Sequence, residues 1–321
     1  YDNIPQDPDL ESVDGATAMA REVNADCIVS VGGGSVIDAA KVVCVALKNG
    51  GKANDYVNRW WTLSEPQTPH IVVPTTAGTG SEVTSAAVIT SKVAGRKLFI
   101  ADPKIVPNAA VLDPRFTMTL PQGMTVGSAM DAMTHAVEAG MSLMANQMCD
   151  GLGLHAIRVI SENLPLAVAD PNDEKARLNL QIAATMAGCS FTIAQVGLAH
   201  CMAHTVGTLH HVPHGTACGI VLPKVMRFNL DYATAKLAGV AQALGVDTKG
   251  MTERDAALAA ADAIEALMQK VGHPMRLRDV GVPEEGLGLC AFHALADSNI
   301  LFNPRPTADP GEVLEVFKQA F

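Results

Sequence analysis

Asp26-Cys27-Ile28-Val29-Ser30-Val31-Gly32-Gly33-Gly34-Ser35, running on into Val36–Leu47, is the stretch that decides the fold. Its first six residues are short, apolar and rich in β-branched side chains, the pattern of a buried parallel strand. Val36–Leu47 carries apolar residues at helical spacing. A strand, a glycine turn and a helix in this order make an anion site. The glycines let the backbone come close, and the free N–H groups at the helix start point at a phosphate. The run is not Gly-x-Gly-x-x-Gly, so the usual dinucleotide fingerprint is absent. The plainer reading is a tight turn with Ser35 as helix cap and Asp38 as its capping-box acid.

Working outward, Glu11–Val23 precedes this unit as a helix, and the chain opens at Tyr1-Asp2 on what reads as the end of a strand. A second strand, His70-Ile71-Val72-Val73-Pro74, ends in Thr75-Thr76-Ala77-Gly78-Thr79-Gly80-Ser81-Glu82. Such hydroxyl-rich loops form turns and caps everywhere. Two loops at the ends of two strands, however, suit the two halves of a dinucleotide. Val83–Thr90 is a further strand, Ser91–Gly95 a hairpin turn, Arg96–Ile100 its return and Val106–Leu112 a last strand. Lys97 on the return strand is a cation that could face cofactor oxygens, though a lone strand lysine is usually just solvated. Asp113-Pro114 and Leu120-Pro121 break the pattern, and beyond them only helical periods follow. These include Ser128–Met144, Asp150–Asn163, Glu174–Ala194, Ala233–Leu244, Thr252–Val271 and Asp309–Ala320.

The histidines concentrate in the helical half. Seven of ten fall within Met130–Gly215, and six of those lie in two motifs. The first is Met130-Asp131-Ala132-Met133-Thr134-His135-Ala136-Val137-Glu138; the second runs from Ala199-His200 to Pro213-His214-Gly215. Asp131/His135 and His200/His204 are each four apart, hence on one helix face. A cysteine-free set of imidazoles with one carboxylate suits Fe(II), Zn(II), Mn(II) or Ni(II). Spacing leaves open which of His200, His204, His210, His211 and His214 bind. His70, His155, His273 and His293 read as ordinary packed histidines.

Composition bounds the rest. At 321 residues two domains are expected, with limits at residues 1–116 and 117–321. A net charge of −10 disfavours nucleic acid. No apolar run reaches the roughly 18 residues of a membrane span, and no signal peptide is seen. The seven cysteines are scattered, without Cys-x-x-Cys, as in a reducing, cytoplasmic setting.

The chain resembles the iron-containing (group III) alcohol dehydrogenase family. The resemblance rests on Gly32–Lys41, Pro74–Glu82, Met130–Glu138, His200–Gly215 and Asn303-Pro304-Arg305. It implies an N-terminal α/β nucleotide-binding domain with a parallel sheet, an all-helical C-terminal domain and an active site between them. It implies Asp131, His135, His200 and His214 as metal ligands, His204 as a cleft-facing proton relay, and His210 and His211 as loop residues. Gly33, Gly34 and Ser35 would hold the pyrophosphate, and Thr75, Thr76, Thr79, Thr84 and Lys97 the rest of NAD or NADP. The expected activity is reversible hydride transfer between a small alcohol and its aldehyde or ketone, in a homodimer. Members begin with a strand–helix–strand unit ahead of the position of Tyr1, which this chain lacks. A cofactor-deficient, metal-binding remnant is therefore one alternative. A metal-dependent hydrolase or lyase, which would need neither strand-end loop, is the other.

Overall fold

The computed structural model describes residues 1–57, 59–63, 65, 67–92 and 96–321. The decisive stretch folds as read: β1 (Ile28–Gly32) turns through Gly33 into α2 (Gly34–Asn49). α1 (Leu10–Glu22) packs on α2. β3 (His70–Pro74) lies parallel to β1 in the register Ile28↔His70 to Gly32↔Pro74. Both strands therefore end at the same edge, and their two loops meet there. β6 (Ala109–Ala110) completes this parallel sheet on the other side of β3.

The expected hairpin strands form a second, mixed sheet apart from the parallel one. β4 (Ala86–Ser91) runs antiparallel to β5 (Arg96–Ala101), and β2 (Arg59–Trp60), not foreseen, lies parallel beside β5. Residues 93–95 of the expected hairpin turn lie outside the described residues. The strand expected from Val83 begins only at Ala86, because Ser81–Val83 winds into a single helical turn. The strand expected over Val106–Leu112 shrinks to two residues. The opening residues form no ladder: Asp9 bridges to Thr90, and Thr90 N–H donates to the Pro8 carbonyl.

The helical half comprises α3 (Gln122–Met141), α4 (Gln147–Ala169), α5 (Glu174–Ala194), α6 (Leu198–His210), α7 (His214–Phe228), α8 (Leu230–Ala243), α9 (Glu253–Lys270), α10 (Leu287–Ala294) and α11 (Pro310–Ala320). α3, α4, α5, α8 and α9 share one apolar core; α6, α7, α10 and α11 share a second. The low aromatic content works because alanines and glycines let these helices approach closely. No single helix among the described residues is long and apolar enough to cross a membrane.

α5 ties the halves together. Gln181 Nε2 donates to the Pro74 carbonyl, and Thr185 donates to Glu82 at 2.6 Å. A Cβ on Gly80 would lie 2.6 Å from the Cα of Gly188, so the second strand-end loop sits directly on the α5 backbone. At its end, Gln195 adopts φ 63°, and the chain turns by 108° into α6. That corner is held by Asn303, whose Oδ1 accepts from Leu198 N–H and Asn229 Nδ2. Its Nδ2 donates to Asn229 Oδ1 and the Arg305 carbonyl. Asn303→Ala leaves these buried groups unpaired and is expected to cost about 2 kcal/mol. An unchanged urea midpoint would contradict this.

Candidate metal centre and cofactor cleft

On α3, Asp131, His135 and Glu138 follow one another at i, i+4 and i+7 and share a buried face. α6 presents His200 and His204 in the same way. His214 is the first residue of α7, with Pro213 at the N-cap position ahead of it. A Cβ on Gly215 would lie 2.2 Å from the Gly127 carbonyl oxygen. Only glycine allows that approach, and it brings His214 against α3. Asp131 Oδ1 thus lies 3.4 Å from His214 Nε2, 3.7 Å from His200 Nε2 and 3.9 Å from His135 Nε2.

Two donor atoms here, Asp131 Oδ1 and His200 Nε2, are buried without a hydrogen-bond partner. Buried polar atoms in that state ordinarily have a partner, and a cation supplies one to both. The charges agree. Burial alone would raise the Asp131 carboxyl, but the surrounding imidazoles, the charged His214 and the neighbouring His200 among them, hold it well below the usual carboxylate range. Burial disfavours charge on His214 too, yet the Cys218 sulfur and Asp131 push it up to about 10. The same neighbours raise His200 well above its ordinary value. Positive charge is favoured at this point, and a bound divalent ion would replace those protons. His135, by contrast, is pushed down to about 3 by burial and stays neutral, the form in which imidazole binds metal. Its ring stacks on Phe191 and on His200. The residues present therefore fit a divalent ion.

Glu138 was not singled out from the sequence, although it closes the quoted motif. Its carboxylate accepts from His200 Nδ1 at 2.6 Å, from Ala199 N–H at 2.7 Å and from His200 N–H at 3.2 Å. A carboxylate cannot donate, so Nδ1 carries the proton and the Nε2 lone pair faces Asp131. An acid one turn beyond a ligand on an apolar helix was the signal. Asp297 does the same for His204: Nδ1 donates to its Oδ2 at 2.6 Å. Burial keeps His204 below its ordinary value against the pull of Asp297.

Cys218 was also missed. Its Sγ, together with Asp131, His200 and His214, forms a group whose donor atoms all lie within 4.8 Å of one another. His210 and His211 stand apart. His210 is the last residue of α6 rather than a loop residue, against Gly286, and His211 follows it at φ 56°.

The same cavity, of about 270 Å³, reaches from this cluster to the glycine turn. Of the residues expected to hold a cofactor, Gly34, Ser35, Thr79, Thr84 and Lys97 line it. Gly33, Thr75 and Thr76 do not border it; Thr76 packs on Gly33. Lys97 already donates to Asp7 at 2.7 Å, and the Thr84 hydroxyl accepts from the buried Lys41. Two expectations are corrected. Ser35 is no cap: the helix begins at Gly34 with Gly33 ahead of it, and the Ser35 hydroxyl accepts from Asp7 N–H. Asp38 is no capping acid either. It accepts from Ser81 and from Val88 N–H beside Lys41, clamping α2 to the second loop. Burial raises Asp38 and lowers Lys41 to about 8.

A glycine-turn edge suited to a phosphate and a carboxylate–imidazole cluster suited to a divalent ion, opening into one cavity, are the parts of a metal-dependent, nucleotide-linked enzyme. The comparisons with known proteins narrow the class. The model of the iron-containing alcohol dehydrogenases matches residues 1–114, and that of the C-terminal part of the same family matches residues 125–321. The 1,3-propanediol dehydrogenase of Citrobacter freundii is 38% identical over 321 residues, covering 100% of this chain and 82% of that protein. The NAD-dependent methanol dehydrogenase of Bacillus methanolicus is 36% identical over 318 residues, 98% of this chain and 82% of that protein. The crystal structure of a 1,3-propanediol oxidoreductase superposes with a TM-score of 0.97 at 37% identity, covering 100% of this chain and 84% of that one. The chain belongs to the iron-containing alcohol dehydrogenase family. It is an oxidoreductase acting on alcohols and their carbonyl counterparts with a nicotinamide cofactor. Nothing in these likenesses favours a hydrolase, a lyase or a cofactor-deficient remnant.

Proposed function

We propose that the chain interconverts a short alcohol or diol and its aldehyde or ketone in the cleft between residues 1–116 and 117–321. Asp131, His135, His200 and His214 hold the metal in this reading. The observation that carries it is the single cavity shared by the glycine turn and the imidazole cluster. When bound, the divalent ion supplies Lewis acidity toward an alcohol oxygen and the dinucleotide supplies the hydride acceptor.

The protein's own part is placement. Gly34 and Ser35, at the start of α2, face a phosphate with free N–H groups, and Gly33 lets the turn close behind them. Thr79, Thr84 and Lys97 border the remaining length of the cofactor, with Thr75 and Thr76 shaping the loop. Phe191 and Val196 form an apolar wall beside His135 and His200 and limit the room for substrate. His204, oriented by Asp297, offers Nε2 as the lone-pair side of its ring. It takes up the hydroxyl proton in the oxidative direction and returns it in the reductive one. A homodimeric, cytoplasmic enzyme with no nucleic-acid or membrane partner completes the reading; the net charge of −10 supports the lack of a nucleic-acid partner and the unpaired cysteines the reducing setting.

The test is metal analysis of the purified protein together with NADH and NADPH oxidation over a panel of short aldehydes. No consumption of either cofactor with any of them would refute the reading. His204→Ala is expected to keep its metal while turnover falls roughly a hundred-fold. Loss of the metal instead would make His204 a ligand.

A further inference from the structure

Cys218 is one turn beyond His214 on α7, the spacing at which Asp131 pairs with His135 and His200 with His204. Its sulfur is fully buried and lies 3.5 Å from His214 Nε2. Among the described residues, the one group of four mutually close metal-donor atoms contains Asp131, His200, His214 and Cys218; His135 is outside it. We propose that the Cys218 sulfur is itself a donor to the ion held by Asp131, His200 and His214. The centre of this chain then offers a thiolate beside its carboxylate and imidazoles. This rests on the reading of the cluster as a metal centre.

The distances support a shared ion. A sulfur about 2.3 Å and a nitrogen about 2.1 Å from one metal at a tetrahedral angle lie roughly 3.6 Å apart. An oxygen and a nitrogen, each about 2.1 Å away, lie roughly 3.4 Å apart. The observed separations are 3.5 Å for Cys218–His214 and 3.4 Å for Asp131–His214. A second observation points to a ligand independently of the cysteine: Asp131 Oδ1 and His200 Nε2 are buried, unpartnered and directed at the same space. A thiol hydrogen could satisfy only one of them, and weakly. The plainer reading of a buried cysteine is a small apolar filler. That reading suits Cys149, Cys201 and Cys290, none of which belongs to such a group.

On binding, the S–H bond breaks, the proton leaves to solvent and the sulfur lone pair is shared with the cation, with no change of oxidation state. A soft donor shifts preference away from Fe(II) and Mn(II) toward Zn(II) and Co(II). With His135 already a ligand in the proposed function, the sulfur is then a fifth donor beside Asp131, His135, His200 and His214.

The test uses the full chain loaded with stoichiometric Co(II), whose thiolate complexes absorb strongly in the near ultraviolet while imidazole and carboxylate complexes do not. The wild type is expected to show that band, and Cys218→Ser and Cys218→Ala to lose it. Competition between Zn(II) and Fe(II) should favour zinc in the wild type by roughly ten-fold or more over Cys218→Ala. X-ray absorption of the zinc-loaded wild type, which needs no variant to fold, should show one sulfur at about 2.3 Å. A loaded wild type with no sulfur band and no sulfur scatterer overturns the proposal, as does a band kept in Cys218→Ala. If Asp131→Asn also fails to load Co(II) in that event, the centre stands and only the Cys218 donor falls. If Asp131→Asn loads cobalt as the wild type does, the centre itself is misassigned.

Discussion

Asp131→Asn is expected to empty the metal centre and lower turnover about a thousand-fold while the helical half stays folded. Asparagine has the same shape, so the buried face of α3 keeps its packing. What disappears is the only carboxylate in the converging group, and the new amide turns either a neutral oxygen or an N–H toward His200 and His214. Lewis-acid stabilisation is worth several kcal/mol; about 4 kcal/mol corresponds to about a thousand-fold in rate. The loss should persist across the neutral range, because the wild-type carboxyl is held far below it and is ionised throughout. Metal content and turnover measured on the same preparation decide it. An Asp131→Asn protein with a full complement of metal and wild-type activity would show that the ligands lie elsewhere.

Glu138→Ala should act on both stability and metal affinity. The carboxylate is 2% exposed and satisfies three donors, two backbone N–H groups at the start of α6 and the His200 ring. Its removal strands all three in the core, at a cost of about 3–5 kcal/mol. Glu138→Gln separates the two effects. It keeps the volume but replaces one acceptor with a donor and withdraws the charge that fixes His200 as the Nε2 lone-pair tautomer. Metal affinity should then fall roughly 10–100-fold, read by competitive titration, with a smaller shift in the urea midpoint. An unchanged affinity in Glu138→Gln would mean that this carboxylate supports the corner between α5 and α6 without tuning His200.

Much of this site was legible because its logic is local. Strand–turn–helix over Ile28–Asn49, the His70–Pro74 strand and the i,i+4 pairs on α3 and α6 follow from side-chain periodicity and turn chemistry, which act within a few residues. The strands that misled were those whose length depends on a partner. Of the Val106–Leu112 segment only Ala109–Ala110 pair in the ladder with β3, while the flanking Asn108 and Val111 N–H groups donate to the His70 and Val72 carbonyls at its ends. Ser35 and Asp38 misled differently. As a serine and an acid at a helix start they have the composition of a cap, but contacts with Asp7, Ser81 and Val88, far along the chain, claimed them instead.

The sequence by itself determined the α/β-then-helical order, the two strand-end loops and the residue types that gather a divalent ion. Those are properties of short windows, set by backbone stereochemistry and donor chemistry. The tertiary structure alone decided what surrounds those residues. Glu138 fixes the tautomer of His200 from 62 positions away, Asp297 orients His204 from 93 away, and Cys218 enters the donor group because Gly215 lets α7 press against α3. Such contacts depend on which helices pack face to face; periodicity marks the buried face of each helix but does not say which partner that face meets.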